Sequence, residues 1–184
     1  MSNYNTNKNN CDKYRPDKEY TQLEVFLDNL PYVLMAIIGV AININIFKFS
    51  IPGIVFSLIY IGYCAIGAIW IMIFVCPYCH YFNTKFCPCG YGQIAAKFRE
   101  KSPETMFSEK FKKHIPVIVP LWIIPLIEGL IFLILDYNLT LLILVIAFTI
   151  NSFIILPLLA RIYGCGHCPQ KNDCPWMIYK RPGV

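Results

Sequence analysis

Four apolar runs, at about Pro31–Phe49, Ile54–Val75, Ile115–Leu135 and Leu139–Ile162, leave this chain few folds to choose from. Each is close to the roughly 20 residues needed to cross about 30 Å of hydrocarbon at 1.5 Å per residue. A soluble bundle would need a polar face on every helix, and runs such as Ala65–Val75 and Leu139–Phe148 have none. Only 15% of the residues are charged, against about 25% in a typical soluble domain. Ser50–Gly53 and Asp136–Asn138 have turn composition and leave room only for hairpins. The expected fold is an all-α membrane protein, an antiparallel bundle of four transmembrane helices with cysteine-rich cytoplasmic loops and short interfacial helices. The pieces between the runs are too short for a second domain, so residues 31–184 form one membrane domain.

Residues 1–17 are rich in Asn and nearly without aliphatic side chains, the composition of a mobile tail. In residues 18–29, Tyr20, Leu23, Phe26 and Leu27 recur at helical spacing with acids between them. That pattern fits a short amphipathic helix at the membrane surface, or the wet first turns of the following span. With four spans, the N-terminal tail, the loop 76–114 and the C-terminal tail share one side. Of 16 Lys and Arg residues, only Lys48 falls on the other side. Positive loops stay in the cytoplasm, so a multi-pass protein of the cell membrane is expected, with both termini inside.

The cysteines fall on that inner side. Cys76, Cys79, Cys87 and Cys89 are spaced C-x2-C-x7-C-x-C where the second span ends, and Cys165, Cys168 and Cys174 are spaced C-x2-C-x5-C where the fourth ends. Cytoplasmic thiols are kept reduced, which disfavours a disulfide framework. Thiolate pairs at C-x2-C spacing can hold one metal ion or one cluster, because the two-residue step turns both sulfurs inward. The first cluster has a set of four ligands; the second has three and would borrow His80, Cys11 or a first-cluster cysteine. His80 and His167 sit inside the clusters as further candidate ligands. Proline follows Cys76, Cys87, Cys168 and Cys174, as it follows a cluster ligand in ferredoxins. An iron–sulfur cluster is weighed slightly ahead of zinc. The layout resembles four-span membrane proteins that pass electrons from quinol to cytoplasmic clusters, without the ferredoxin domain those proteins append. Cys64, inside the second span, reads as a small buried apolar residue.

In the loop, Gln93–Lys101 and the segment opened by Ser102-Pro103-Glu104 read as two short helices at the inner membrane surface. Their lysines suit lipid headgroups better than nucleic acid. Glu128 is the one acid deep in a span, and an ionisable group there is expensive and by default functional. Asn43, Asn45 and Tyr60 lie at similar depths, so with Glu128 they form a candidate pocket for a quinone or a proton path. All three histidines lie near or outside the inner span ends, which removes a haem-bearing cytochrome. The residues point to a membrane protein that binds metal or iron–sulfur clusters at its cytoplasmic face, in redox or electron transfer with a membrane or redox partner. A zinc-stapled scaffold without catalysis and a metal-handling transporter are the alternatives.

Overall fold

The computed structural model describes residues 19–161, 168–172 and 174. The expected N-terminal tail with Cys11, and the candidate ligands Cys165 and His167, lie outside the described residues.

The first helix, α1, spans Gln22–Phe47. Thr21 and Glu24 close its start reciprocally: the Thr21 hydroxyl accepts the Glu24 N–H at 3.3 Å, and the Glu24 carboxylate accepts the Thr21 N–H at 2.9 Å. No break falls at residue 30. The amphipathic stretch is therefore the start of the first long helix, which runs on through Pro31. A short turn, in which the Ser50 hydroxyl donates to the Phe47 carbonyl at 2.5 Å, leads to α2, Ile51–Phe74.

A 3₁₀ turn, Cys76–Tyr78, and a series of turns lead to α3, Tyr91–Ala95. A second 3₁₀ turn, Glu104–Met106, opens α4, Phe107–His114. The Ser102 hydroxyl does not cap this turn, and its N–H donates to the Pro77 carbonyl at 2.9 Å. A third 3₁₀ turn, Ile115–Val117, precedes α5, Pro120–Leu135, so the third run is broken where Pro116 and Pro120 remove donors. Asn138 caps α6, Leu139–Ile150, accepting the Thr140 N–H at 2.9 Å. A π-turn, Asn151–Ile155, and α7, Leu156–Leu159, complete the fourth run. The π-turn lies just before Pro157, whose missing N–H interrupts the ladder. Pro169–Asn172 forms a last 3₁₀ turn. Among the described residues every element is helical.

Four helical stretches are long and apolar enough to cross a membrane: Gln22–Phe47, Ile51–Tyr78, Glu104–Leu135 and Leu139–Leu159. Their outward faces are aliphatic, with Ile59 61% and Ile134 85% exposed. An apolar belt of this extent is costly in water and free of cost in hydrocarbon. The interior packs around α1, which touches α2, α5, α6 and the π-turn. Ile42 and Phe148 lie fully buried at its centre, with Met35, Tyr60, Leu121, Val145 and Leu156 around them. Gly39 makes one contact possible: a Cβ there would collide with the Tyr60 ring, so only glycine lets α2 approach this closely.

Candidate thiolate site

α2 ends at Phe74 with Val75 as its cap, and the 3₁₀ turn that follows begins at Cys76-Pro77. The Cys79 N–H donates to the Cys76 carbonyl at 3.0 Å, closing the first C-x2-C pair into a tight loop. The next pair is built by glycines. Gly90 takes a left-handed conformation, φ 72°, and turns the chain into α3. Gly92 lies so near Tyr81 that an added Cβ would stand 3.0 Å from its carbonyl oxygen, and the Gly92 N–H donates to the Cys87 sulfur at 3.4 Å. The Cys87 and Cys89 sulfurs are 3.7 Å apart.

Two other segments close on this loop. From α1, the Asn29 amide donates to the Cys89 carbonyl at 3.0 Å, and the Tyr20 N–H to the Lys85 carbonyl at 3.0 Å. From the C-terminal segment, the buried Gln170 side chain accepts the His80 N–H at 2.9 Å. It also donates to the carbonyls of Tyr78 at 3.2 Å and Glu104 at 3.4 Å. Cys168 and Cys174 flank this residue. The result is one cavity of about 340 Å³ whose wall includes Cys76, Cys79, Cys87, Cys89, Cys168 and Cys174. Six of the seven candidate cysteines thus meet at one end of the bundle, and Cys165 lies outside the described residues. No disulfide joins the described cysteines.

Burial sets the protonation of these groups. It pushes the Cys79 thiol well up and Cys168 to about 11, because a charged sulfur loses its hydration there. Cys87 is the exception. Its hydrogen bond with Cys89, and backbone N–H groups led by that of Gly92, hold it below the usual thiol range. Cys89, bonded to Cys87 and buried, is pushed well up in turn. Of the two sulfurs, Cys87 is the one that gives up its proton more readily.

His80 is not among the residues lining the cavity; its Nδ1 lies 2.9 Å from the Glu104 carboxylate, which Lys101 also contacts at 2.7 Å. Among the described residues, no three His, Cys, Asp or Glu side chains converge as ligands of a single ion would.

The Glu128 group is spread along the bundle. Tyr60 donates to the Leu121 carbonyl at 3.1 Å, which is about 10 Å from Glu128 along α5 at 1.5 Å per residue. Asn45 accepts from Asn138 at 3.3 Å, at an exposed helix end. Asn43 is buried near the centre with no partner for its side-chain oxygen among the described residues. None of Glu128, Asn43, Asn45 and Tyr60 lines the thiol cavity.

Three residues of the site carry no cysteine signal. Gln170 offers nothing local to mark it, because all its partners are distant in sequence. Asp28 and Tyr91 line the cavity, whereas Gln170 stands behind its wall. Asp28 could have been found from the helical spacing of Asp28, Tyr32 and Met35, which puts all three on one face of α1. No protein-family model, curated protein or solved structure matches this chain.

Proposed function

We propose that this chain is an antiparallel four-helix protein of the cell membrane whose cytoplasmic end holds a thiolate-ligated iron–sulfur centre, working in electron transfer at the membrane surface. One observation carries the reading: cysteines from two segments far apart in sequence line a single cavity. The near-complete placement of Lys and Arg on the cysteine side supports the orientation.

Six cysteines on one wall are more than a single tetrahedral ion takes, which leans the reading toward a cluster. Four thiolates around a tetrahedral ion, with metal–sulfur distances of about 2.3 Å, stand about 3.8 Å apart in every pair. Cys87 and Cys89 meet that at 3.7 Å, yet no third described ligand joins them. A cluster spreads its ligands over several metal atoms and suits a wider ring of sulfurs. Cys76, Cys79, Cys87 and Cys89 would form one ligand set, with Cys168 and Cys174 near enough to complete or extend it. When bound, such a cluster takes up and releases single electrons. The chain's own residues provide a desolvated pocket, and the Gly92 N–H directed at a sulfur stabilises its negative charge.

The same 3.7 Å pair supports a second reading, a zinc staple without redox chemistry. Protein purified without oxygen decides between them. Iron, acid-labile sulfide and visible charge-transfer bands, lost in Cys79→Ser or Cys168→Ser, are expected. Colourless protein with stoichiometric zinc selects the staple. Protein without bound metal, in which those variants change nothing, removes both.

A further inference from the structure

The cavity does not stop at the thiols. Cys64, Gly67, Ala68, Ile71 and Val75 all stand on its wall, and their spacing puts them on one face of α2. From Cys64 to Val75 that face runs about 16 Å at 1.5 Å per residue. This is close to half of the roughly 30 Å hydrocarbon thickness, the depth of a single leaflet. Met35, Leu121, Trp122 and Leu156 close the deep half, where water would find almost no hydrogen-bond partners. Polar groups gather at the thiol end: Asp28, Tyr91 and, at the exposed edge, Lys171.

We infer that this cavity is a binding site for a long-chain fatty acid, with its chain along α2 and its carboxyl group at the thiol end. Three observations choose this occupant. The depth of one leaflet is the length of one acyl chain. The volume of about 340 Å³ lies near the small end of the roughly 300–1,000 Å³ of ligand sites, which leaves no room for the second chain and headgroup of a phospholipid. The charge around the mouth is positive. Lys171 stands on the wall, and α4, which adds Phe107 and Phe111 to it, also carries Lys110, Lys112 and Lys113. A basic rim draws an anionic head and repels a lipophilic cation. Lys171 pairs with the ligand carboxylate, and the Tyr91 hydroxyl can donate to it. Asp28 is the one opposing group on the wall, and two neighbouring carboxyl groups share a proton.

The site does not depend on what the sulfurs hold. Cys64 lines its deep end and Cys168 its mouth, and both belong to the same space. A chain lying along α2 therefore shields the two thiols together.

The full-length protein in phosphatidylcholine nanodiscs is photolabelled with a palmitic acid analogue that bears a diazirine on its chain. Saturable labelling of the Cys64–Ala68 or Leu121–Trp122 peptides, competed by oleate, is expected in wild type. Oleate should also slow the alkylation of both Cys64 and Cys168 by N-ethylmaleimide. Dodecyltrimethylammonium, an apolar chain with a cationic head, should not compete. Ala68→Leu should weaken binding by about tenfold or more, because a filled cavity no longer admits the chain, and Lys171→Ala should weaken it severalfold. The wild-type readings stand without either variant. Non-saturable labelling, label confined to other peptides, competition by the cation as strong as by oleate, or equal affinity in Ala68→Leu overturns the site. Each of these outcomes is read without reference to bound metal, so the site and the thiolate centre stand or fall separately.

Discussion

The Tyr60 hydroxyl donates to the Leu121 carbonyl at 3.1 Å, taking the place of the N–H that Pro125 lacks. In an α-helix each carbonyl is paired with the N–H four residues on, and the partner due to Leu121 is Pro125. A bare carbonyl in hydrocarbon costs several kcal/mol. The preceding turn has the same need. The Leu121 N–H bonds to Ile118 at 3.1 Å, which frees the Val117 carbonyl, and the Tyr63 hydroxyl donates to it. Two tyrosines of α2 thus satisfy a helix that prolines have interrupted.

Tyr60→Phe should lower stability in detergent by about 1 kcal/mol, the scale of a hydrogen bond inside a membrane protein. Pro125→Ala restores the missing N–H, so in that background the cost of Tyr60→Phe should shrink toward zero. Equal costs in both backgrounds, read from thermal unfolding, would show that Tyr60 does not serve the gap left by Pro125.

Gln170 joins three segments through His80, Tyr78 and Glu104. Gln170→Ala should leave buried backbone groups without partners, at about 1–3 kcal/mol, and release the C-terminal segment. The expected signature is faster alkylation of Cys168 and Cys174, with Cys64 unchanged. Unaltered rates would mean that the thiol segment is held by something else.

Orientation can be read with an impermeant maleimide on intact cells. Tyr137, 70% exposed at the α5–α6 turn, should label as Tyr137→Cys without lysis. Lys101→Cys, on the thiol side, should label only after lysis. The reverse pattern would invert the topology and place the thiols in an oxidising compartment.

Metal uptake should depend steeply on pH. Cys79 and Cys89 are raised well above the usual thiol range and Cys168 to about 11, so at neutral pH these sulfurs hold protons that a metal must displace. Apparent affinity therefore rises with pH through neutrality, by about tenfold per unit for each proton released. It levels off only above the raised pKa values. Zinc titrations from pH 6 to 8 that show no slope would exclude these thiols as ligands.

Glu128→Gln should leave metal content as in wild type, since Glu128 is absent from the cavity wall. An amide can also keep the hydrogen bonds of a protonated carboxyl. Loss of bound metal in this variant would show that Glu128 supports the thiolate site.

The sequence by itself determined the helices and the ends to which the cysteines belong. Hydrophobic runs such as Leu139–Phe148 carry that information locally, because each backbone polar group in hydrocarbon must bond within its own helix. The spacing of Cys76, Cys79, Cys87 and Cys89 marked the thiol loop for another reason, since a two-residue step turns paired sulfurs to one side. It did not separate α1 from its wet first turns, where amphipathic spacing suits a surface helix and a helix start equally. Only tertiary structure decided what meets what. Gln170 acts through carbonyls 66 and 92 residues away, and the His80 Nδ1 lies 2.9 Å from the Glu104 carboxylate, a contact that spacing cannot announce. Tyr60, placed with Glu128 by depth alone, is bound to Leu121 because a proline on another helix left a carbonyl open. The cavity beneath the sulfurs is likewise a product of packing. Gly67 is ordinary in sequence, and it matters only because Ile118 and Leu121 pack against it, 3.2 Å and 3.4 Å from where a Cβ would stand.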